Sequence, residues 1–504
     1  MPDSVLANPV FVGLDAGTTG VKATAFLDDG RDVASVRAEL PMNSPVPGAA
    51  EQDPDHFVAT CLTVLSDCLR TVKERGHPIA AIGLSGIIGS LVVLDRQLRP
   101  LGMAFTWADL RCGPQVEEAI EALDHDSVYF QTGCQIHSIY TGPKIAWLAR
   151  REPERFAAGR WFVPLKSYLL LKLTGSLLLD RSVGSGSGLL DTSGLSWNDD
   201  WLQFLGVDPG SLGELVESDH RCRLTSEAAA MLGVPRATPL IVGAADGMLS
   251  SLGVGAVGEG VYTAMIATSA ACRTVDSRPI LHPRRATWSY YLADGLWVNG
   301  GAISSAGIVY RWVRDTLFAD RAGPEDYSPV NAAAEAAPPG ADGLLMLPFL
   351  AGERSPNWNV NARGALLGMT LGHGRGHVAR AAMESICLHL GHVMSALREI
   401  CSAPRQVRTT GGFRGSSFWV QMLCDCLATP LALPQEGDAS VLGAAMLAMR
   451  AEGAMESLLD APKLVPIVGE VRPDPAAADH FARQRKRYEE MYATLEPQFA
   501  GLAG

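Results

Sequence analysis

The chain has 504 residues, too many for one hydrophobic core and enough for two or three domains. Hydrophobic residues make up 47% and charged residues only 19%, which excludes a long disordered tract. A net charge of -12 excludes a general nucleic-acid binder, which needs a basic face, but leaves small phosphorylated ligands open.

The first hydrophobic stretch organises the chain. An apolar run from Val10 ends in Asp15, a turn follows (Ala16-Gly17-Thr18-Thr19-Gly20), and a second apolar run extends from Val21 to Leu27. This composition predicts a β-hairpin. Glycine lets backbone N–H groups approach a ligand, and threonine hydroxyls add donors, so the turn can cradle phosphate oxygens. Asp15, closing a buried strand, is placed to hold a hydrated Mg²⁺. On this stretch alone an ordinary hairpin with a polar tip is an equal reading.

Val33 to Leu40 reads as a strand, and Pro54 to Arg75 as a helix with one buried stripe through Phe57, Cys61, Val64, Leu65, Cys68 and Leu69. Ile79 to Leu84 and Ser90 to Asp95 read as strands around the loop Ser85-Gly86-Ile87-Ile88-Gly89. Trp107, Asp109 and Arg111 then bring an indole, a carboxylate and a guanidinium close together. Such a set suits a polyol, although a salt-bridged strand end accounts for Arg111 equally well. Helices are expected near Pro143–Arg150, Leu165–Leu173 and Asp199–Leu205, and Ser182 to Gly188 reads as a flexible loop lining a cleft.

The opening plan then repeats. Leu240 to Ala245 is an apolar strand ending in Asp246-Gly247. Gly260 to Val275 is a strand, a small turn (Ala267-Thr268-Ser269-Ala270) and a second strand. Two such units facing one another can hold a nucleotide's phosphates, which favours phosphate binding over a plain hairpin. Gly300 to Gly307 is expected to open a helix through Trp312. Gly343 to Leu350 reads as a strand, and His377 to Ile400 as a long helix. Val407 to Thr410 leads into Gly411-Gly412 and a helix beginning at Ser416, where a ribose or phosphate can sit against bare backbone. Gly437 to Arg450 is a small-residue helix able to pack closely, and Ala476 to Leu495 a charged amphipathic one. The ten cysteines show no metal-like pairing; Cys424 and Cys426 read as core, which fits reduced thiols. No apolar run spans a bilayer, and the N-terminus lacks a basic region followed by an apolar stretch. The expectation is a cytoplasmic protein without a membrane partner.

With these pieces in place the chain resembles the FGGY carbohydrate kinases over nearly its whole length. GLDAGTTGVKA, GAADG, ATSA, LPFLAGERSPNWNVNARGALLGMTLGH and TTGGFRGSSFWVQMLCDCLATPL occur in the family's order, and together they are highly specific. TWADLR, GAADGMLSSLGVGAVG and GERSPNWNVNARG are most similar to the family's gluconate-phosphorylating members. The resemblance implies an α/β fold of two duplicated actin-like (ribonuclease H-like) domains, here 1–245 and 246–504, with an ATP and sugar cleft between them.

It also implies site residues. Asp246 falls on the catalytic aspartate, where a carboxylate can take the acceptor hydroxyl's proton. ATP contacts are implied for Gly17, Thr18, Thr19, Lys22, Thr268, Ser269, Gly307, Gly411, Gly412 and Ser416, and Mg²⁺ for Asp15. Sugar contacts are implied for Ile88, Gly89, Trp107, Asp109, Arg111 and Asp246, with Lys144 for a negative end. The implied reaction is ATP-dependent phosphorylation of gluconate on its 6-hydroxyl; a ketopentose or polyol kinase and a non-catalytic sugar or nucleotide sensor are the alternatives. A small-molecule sugar or sugar acid is the only expected partner, with oligomeric state, a homodimer included, left open. Two positions depart from the family pattern. Gly89 stands where many members carry histidine, and Ala267 and Ala270 replace both glycines of the second phosphate turn. Either that turn avoids the left-handed region or nucleotide affinity is altered.

Overall fold

The computed structural model describes residues 8–502, so the expectation about an N-terminal leader bears on residues 1–7, outside the described ones. The first hairpin forms as its sequence predicts: Val10–Ala16 and Gly20–Phe26 pair antiparallel, with Asp15 opposite Lys22. Asp32–Glu39 adds to the outer side antiparallel, while Ile79–Gly86 and Leu240–Ala245 add to the inner side parallel. With the short strand Arg221–Cys222, these make one six-stranded sheet.

The second half builds the same sheet again. Val261–Ile266 and Ala270–Asp276 form the antiparallel hairpin, Leu296–Ile303 adds antiparallel to it, and Gln406–Thr410 then Leu431–Pro434 add parallel. Trp288–Ala293 and Ile467–Val471 extend the edges to seven strands. The duplication inferred from two hairpins therefore extends to five matching strands in each half.

Most predicted helices lie within a residue or two of their expected ends, including Pro54–Glu74, Arg375–Ile400 and Ser417–Leu427. Asp53 caps the first of these by accepting from the N–H groups of Asp55 and His56. Cys424 and Cys426 are buried in the last, and all ten cysteines are free thiols. The C-terminal helix, Pro475–Leu502, buries Phe481, Tyr488, Tyr492 and Phe499 and turns its charged face outward.

Two expectations fail. Gly300 to Ile303 continues a strand, and the helix begins only at Gly307. The glycines are needed there because a Cβ at Gly300 would press on the Trp288 ring and one at Gly301 on Val393. Ser182 to Gly188 is not a flexible loop: Arg181–Ser185 is a short, mostly buried helix. Ser182 Oγ accepts from the Ala245 N–H, and Ser185 Oγ from the Tyr291 N–H.

The two halves meet through a pair of helices, Asp246–Gly253 and Ala439–Ala451. A Cβ at Gly253 would overlap the Ala439 carbonyl, and one at Gly443 the Leu249 carbonyl, so only glycine allows this separation. The second helix, although from the C-terminal half, packs on the first sheet through Val441, Ala444, Ala445 and Ala448. This close backbone contact sets where the two sheet ends stand across the cleft. No helix among the described residues is long and apolar enough to cross a membrane.

Candidate active site

Asp15 and Asp246 each stand at the end of an inner strand of the first sheet, and both line a cavity of about 270 Å³ between the halves. Asp15 Oδ1 accepts from the Ser85 hydroxyl at 2.6 Å, and Oδ2 from the Ser440 hydroxyl at 2.8 Å. Ser440 belongs to the bridging helix, so this carboxylate ties one half to the other. Asp246 begins its helix, and its Oδ1 accepts from the Gly247 N–H at 2.6 Å. Burial, and then the nearby Asp15 carboxylate, push the Asp246 carboxyl up to about 7. Asp15 is also raised, mainly by burial, against the pull of its two serine partners. Beneath the floor the buried Lys166 ammonium bonds Asp180 at 2.9 Å and the Ala244 carbonyl at 3.1 Å. It offsets part of the repulsion between the two acids.

Thr18 Oγ1 accepts from Trp107 Nε1 at 3.0 Å, and its carbonyl accepts from Gln52 Nε2 at 2.6 Å, which leaves Thr19 exposed at the tip. The second turn divides two cavities: Ser269 lines the one holding Asp246, and Thr268 lines a neighbouring one of about 410 Å³. Gly307, Gly412 and Ser416 line that second cavity, with Tyr310 and Tyr327 stacked at 5.7 Å in its wall. Gly411, at φ 109°, would with a side chain overlap the Ile266 carbonyl, so it has to be glycine. Ala267 and Ala270 have no positive φ, so the second turn avoids the left-handed region and alanine carries no backbone strain there.

Ile88 and Trp107 line the first cavity, and Gly89 packs against the Ile139 carbonyl and Trp107 beside it. Lys22 does not point at the phosphate turn; it pairs with Asp438 of the other half at 2.6 Å. Asp109, Arg111 and Lys144 do not reach the cavity. Arg111 bonds Asp109 at 2.7 Å and Glu51 at 2.5 Å, and Asp109 also accepts from the Ala50 N–H. Lys144 Nζ donates to the Ser138 and Tyr140 carbonyls. Asp109 and Arg111 brace the loop carrying Trp107, and Lys144 braces residues 138–140. Residues that pattern reasoning missed line the cavity instead: Arg273, Arg354, Trp288, Tyr290 and Trp358. The signal for Arg273 was present as a cation inside an otherwise apolar strand.

The donor set fits a nucleotide triphosphate. Open space faces Gly412, Thr268 and Ser269 of the second turn border the two cavities, and Asp15 and Asp246 line the first. Among the described residues no group of three His, Cys, Asp or Glu side chains gathers to hold a metal. A Mg²⁺ that keeps most of its water needs only one or two carboxylates, and Asp15 and Asp246, lining the cavity, fit that need.

A duplicated actin-like fold, with two acids and Ser269 of a hydroxyl-bearing turn lining one cleft, is the kind of architecture a phosphotransferase uses. Family models agree over both halves: the N-terminal domain of the FGGY family of carbohydrate kinases matches residues 10–253, and its C-terminal domain matches 264–452. A gluconokinase from Bacillus subtilis (strain 168) is 34% identical over 457 residues, 88% of each chain. The crystal structure of a gluconate kinase from Lactobacillus acidophilus superposes with a TM-score of 0.92 at 29% identity, covering 98% of this chain and 99% of that one. A ligand-bound xylulose kinase structure from the same organism gives 0.92 at 29% identity, covering 98% and 100%. The chain belongs to the FGGY family of carbohydrate kinases; it is a phosphotransferase acting on a small sugar substrate, with ATP as donor.

Proposed function

We propose that the protein phosphorylates the terminal hydroxyl of a sugar acid, gluconate to 6-phosphogluconate, with Asp246 as general base. The observation that carries the reading is the placement of Asp246. It is recessed in the sugar-side cavity, held by the Gly247 N–H, and raised in pKa to about 7. A carboxylate in that range accepts an alcohol proton as the phosphoryl group moves, without being a permanent ion in a dry site. The hydroxyls of Thr18, Thr19 and Thr268 would donate to phosphate oxygens, and the backbone at Gly411 and Gly412 would lie against the adenosine. Asp15 would hold Mg²⁺ through water. When bound, the metal neutralises phosphate charge, the main catalytic need in phosphoryl transfer.

The choice of gluconate is supported by similarity to gluconokinases, although xylulose kinases are nearly as similar. Trp107, Trp288 and Trp358 offer aromatic faces to the C–H side of an open-chain sugar of either kind. A coupled ADP-release assay on gluconate, xylulose, ribulose and glycerol decides between them. Turnover on gluconate at least tenfold above the others is expected; faster turnover on xylulose would replace the reading. Binding of ATP and sugar without ADP release would make the protein a sensor.

A further inference from the structure

The sugar-side cavity is polarised in its hydrogen-bonding groups. Its carboxylates, Asp15 and Asp246, stand at the strand ends, and the opposing wall supplies N–H donors. Arg273 is 93% buried; one Nη donates to Ser250 Oγ at 3.3 Å, and its Nε has no partner. Arg354 donates from Nε to Ser304 Oγ at 3.1 Å and from one Nη to the Ile303 carbonyl at 3.3 Å. Its guanidinium lies over the Trp107 ring at 5.7 Å. Trp358 Nε1, in the same wall, is also unpartnered.

Several recessed cations of this protein are matched by a carboxylate in contact, Arg111 by Asp109 and Glu51, Lys166 by Asp180, Arg380 by Glu384, while Lys144 and Arg408 lie outside the cavity and donate to backbone carbonyls. Among the described residues Arg273 and Arg354 form no such pair, and burial holds both guanidiniums below their ordinary range. Each also lies in the other's repulsive field, which lowers Arg273 further. Two recessed cations without a contacting counter-ion are costly, and a ligand anion held in their forks would relieve that cost. Asp246 attracts Arg273 but is not in ion-pair contact with it, which leaves the Nη not bonded to Ser250 for a ligand.

We infer that Arg273 and Arg354 bind the carboxylate of the acceptor and so select sugar acids over neutral sugars. The inference rests on reading this cavity as the acceptor site. It replaces Lys144, whose ammonium is spent on two carbonyls, as the group that meets the negative end of the substrate. A carboxylate takes paired N–H donors from a guanidinium, whereas the CH₂OH of an alditol at the same place would leave both cations uncompensated.

The test is calorimetric titration of the full-length protein, saturated with a non-hydrolysable ATP analogue, with two ligand pairs: gluconate against glucitol, and xylonate against xylitol. The wild type is expected to bind at least one acid tenfold or more tighter than its alditol. Arg273→Gln and Arg354→Gln should each weaken that acid by about 10- to 100-fold, the usual worth of a hydrogen bond to a charged group. Alditol and ATP-analogue affinity should stay within about threefold, below the loss expected for a charged hydrogen bond. Should a Gln variant fail to fold, Arg273→Lys and Arg354→Lys keep the charge and remove the fork, and a several-fold loss of acid preference is then expected. No acid preference in the wild type, equal losses on acid and alditol, or loss of the nucleotide analogue instead would each overturn the inference. Preference for xylonate without gluconate turnover would leave the clamp standing and remove the gluconate reading.

Discussion

Replacing Asp246 by Asn should stop turnover while making the protein more stable, and the gain should depend on pH. The carboxyl sits near 7 instead of its ordinary 3.8, chiefly through burial and then through Asp15. A folded pKa above the unfolded one means that ionisation opposes folding. The group's contribution is therefore intact below the unfolded value and is lost as pH rises from about 4 to 7. At about 1.4 kcal/mol per tenfold, the full loss above pH 7 is about 4 kcal/mol, an upper bound because Asp15 shares the repulsion. Near pH 5 about a third of it applies. Asparagine keeps the shape, and its Oδ1 can still accept from the Gly247 N–H. Thermal melts of both proteins at pH 5 and pH 8 read the effect. The variant should melt higher at pH 8 and the gap should shrink at pH 5, while the variant still binds ATP. An equal or lower melting temperature at pH 8, or a gap independent of pH, would refute the electrostatic account of this carboxylate.

Other outcomes follow from the same geometry. For the wild type, kcat/KM for the acceptor should rise about tenfold per pH unit below about 7 and level above it, since only ionised Asp246 accepts the proton; a flat profile from pH 5 to 8 would remove that role. Arg111→Ala should cost about 3–5 kcal/mol by stranding Glu51 and Asp109, and it should be read in denaturant melts, not as altered acid-to-alditol preference. Gly411→Ala should raise the KM for ATP well before that for sugar, because the new methyl pushes the strand away from Ile266; unchanged ATP kinetics would contradict the close approach. Lys22→Ala should change stability by less than about 1 kcal/mol, because both ends of its pair with Asp438 are half-exposed. Small-angle scattering should show compaction when sugar binds, as closure excludes water from the transfer step; identical profiles would count against it.

Much of the fold was legible because it is encoded locally. Each hairpin carries its own alternation and turn residues, and finding the plan twice predicted both sheets. Asp15 and Asp246 were legible for a related reason: an acid closing an apolar strand is costly unless it has a task. Gly411 could be picked out at a strand exit, and a side chain there would overlap the Ile266 carbonyl. Directions of side chains were not legible. Trp107, Asp109 and Arg111 lie close in sequence, yet only the indole reaches the cavity, because Ala50 and Glu51 from a distant segment satisfy the other two. Ser440 and Arg354 reach the site only through the packing of the two halves. Gly300 to Ile303 was misread because a short glycine-rich apolar run has no period of its own, and cross-strand packing against Trp288 decides it.

We propose that this cleft moves a phosphoryl group onto a sugar acid held beside Asp246. Mass-resolved product analysis after incubating gluconate and ATP with the wild type and with Asp246→Asn tests it most directly. Singly phosphorylated gluconate from the wild type, and at least a thousandfold less from the variant, is the predicted result, within the range by which a positioned base accelerates proton transfer, about 10²–10⁴. Comparable product from both proteins, or no phosphorylated gluconate from a wild type that phosphorylates xylulose, would contradict it.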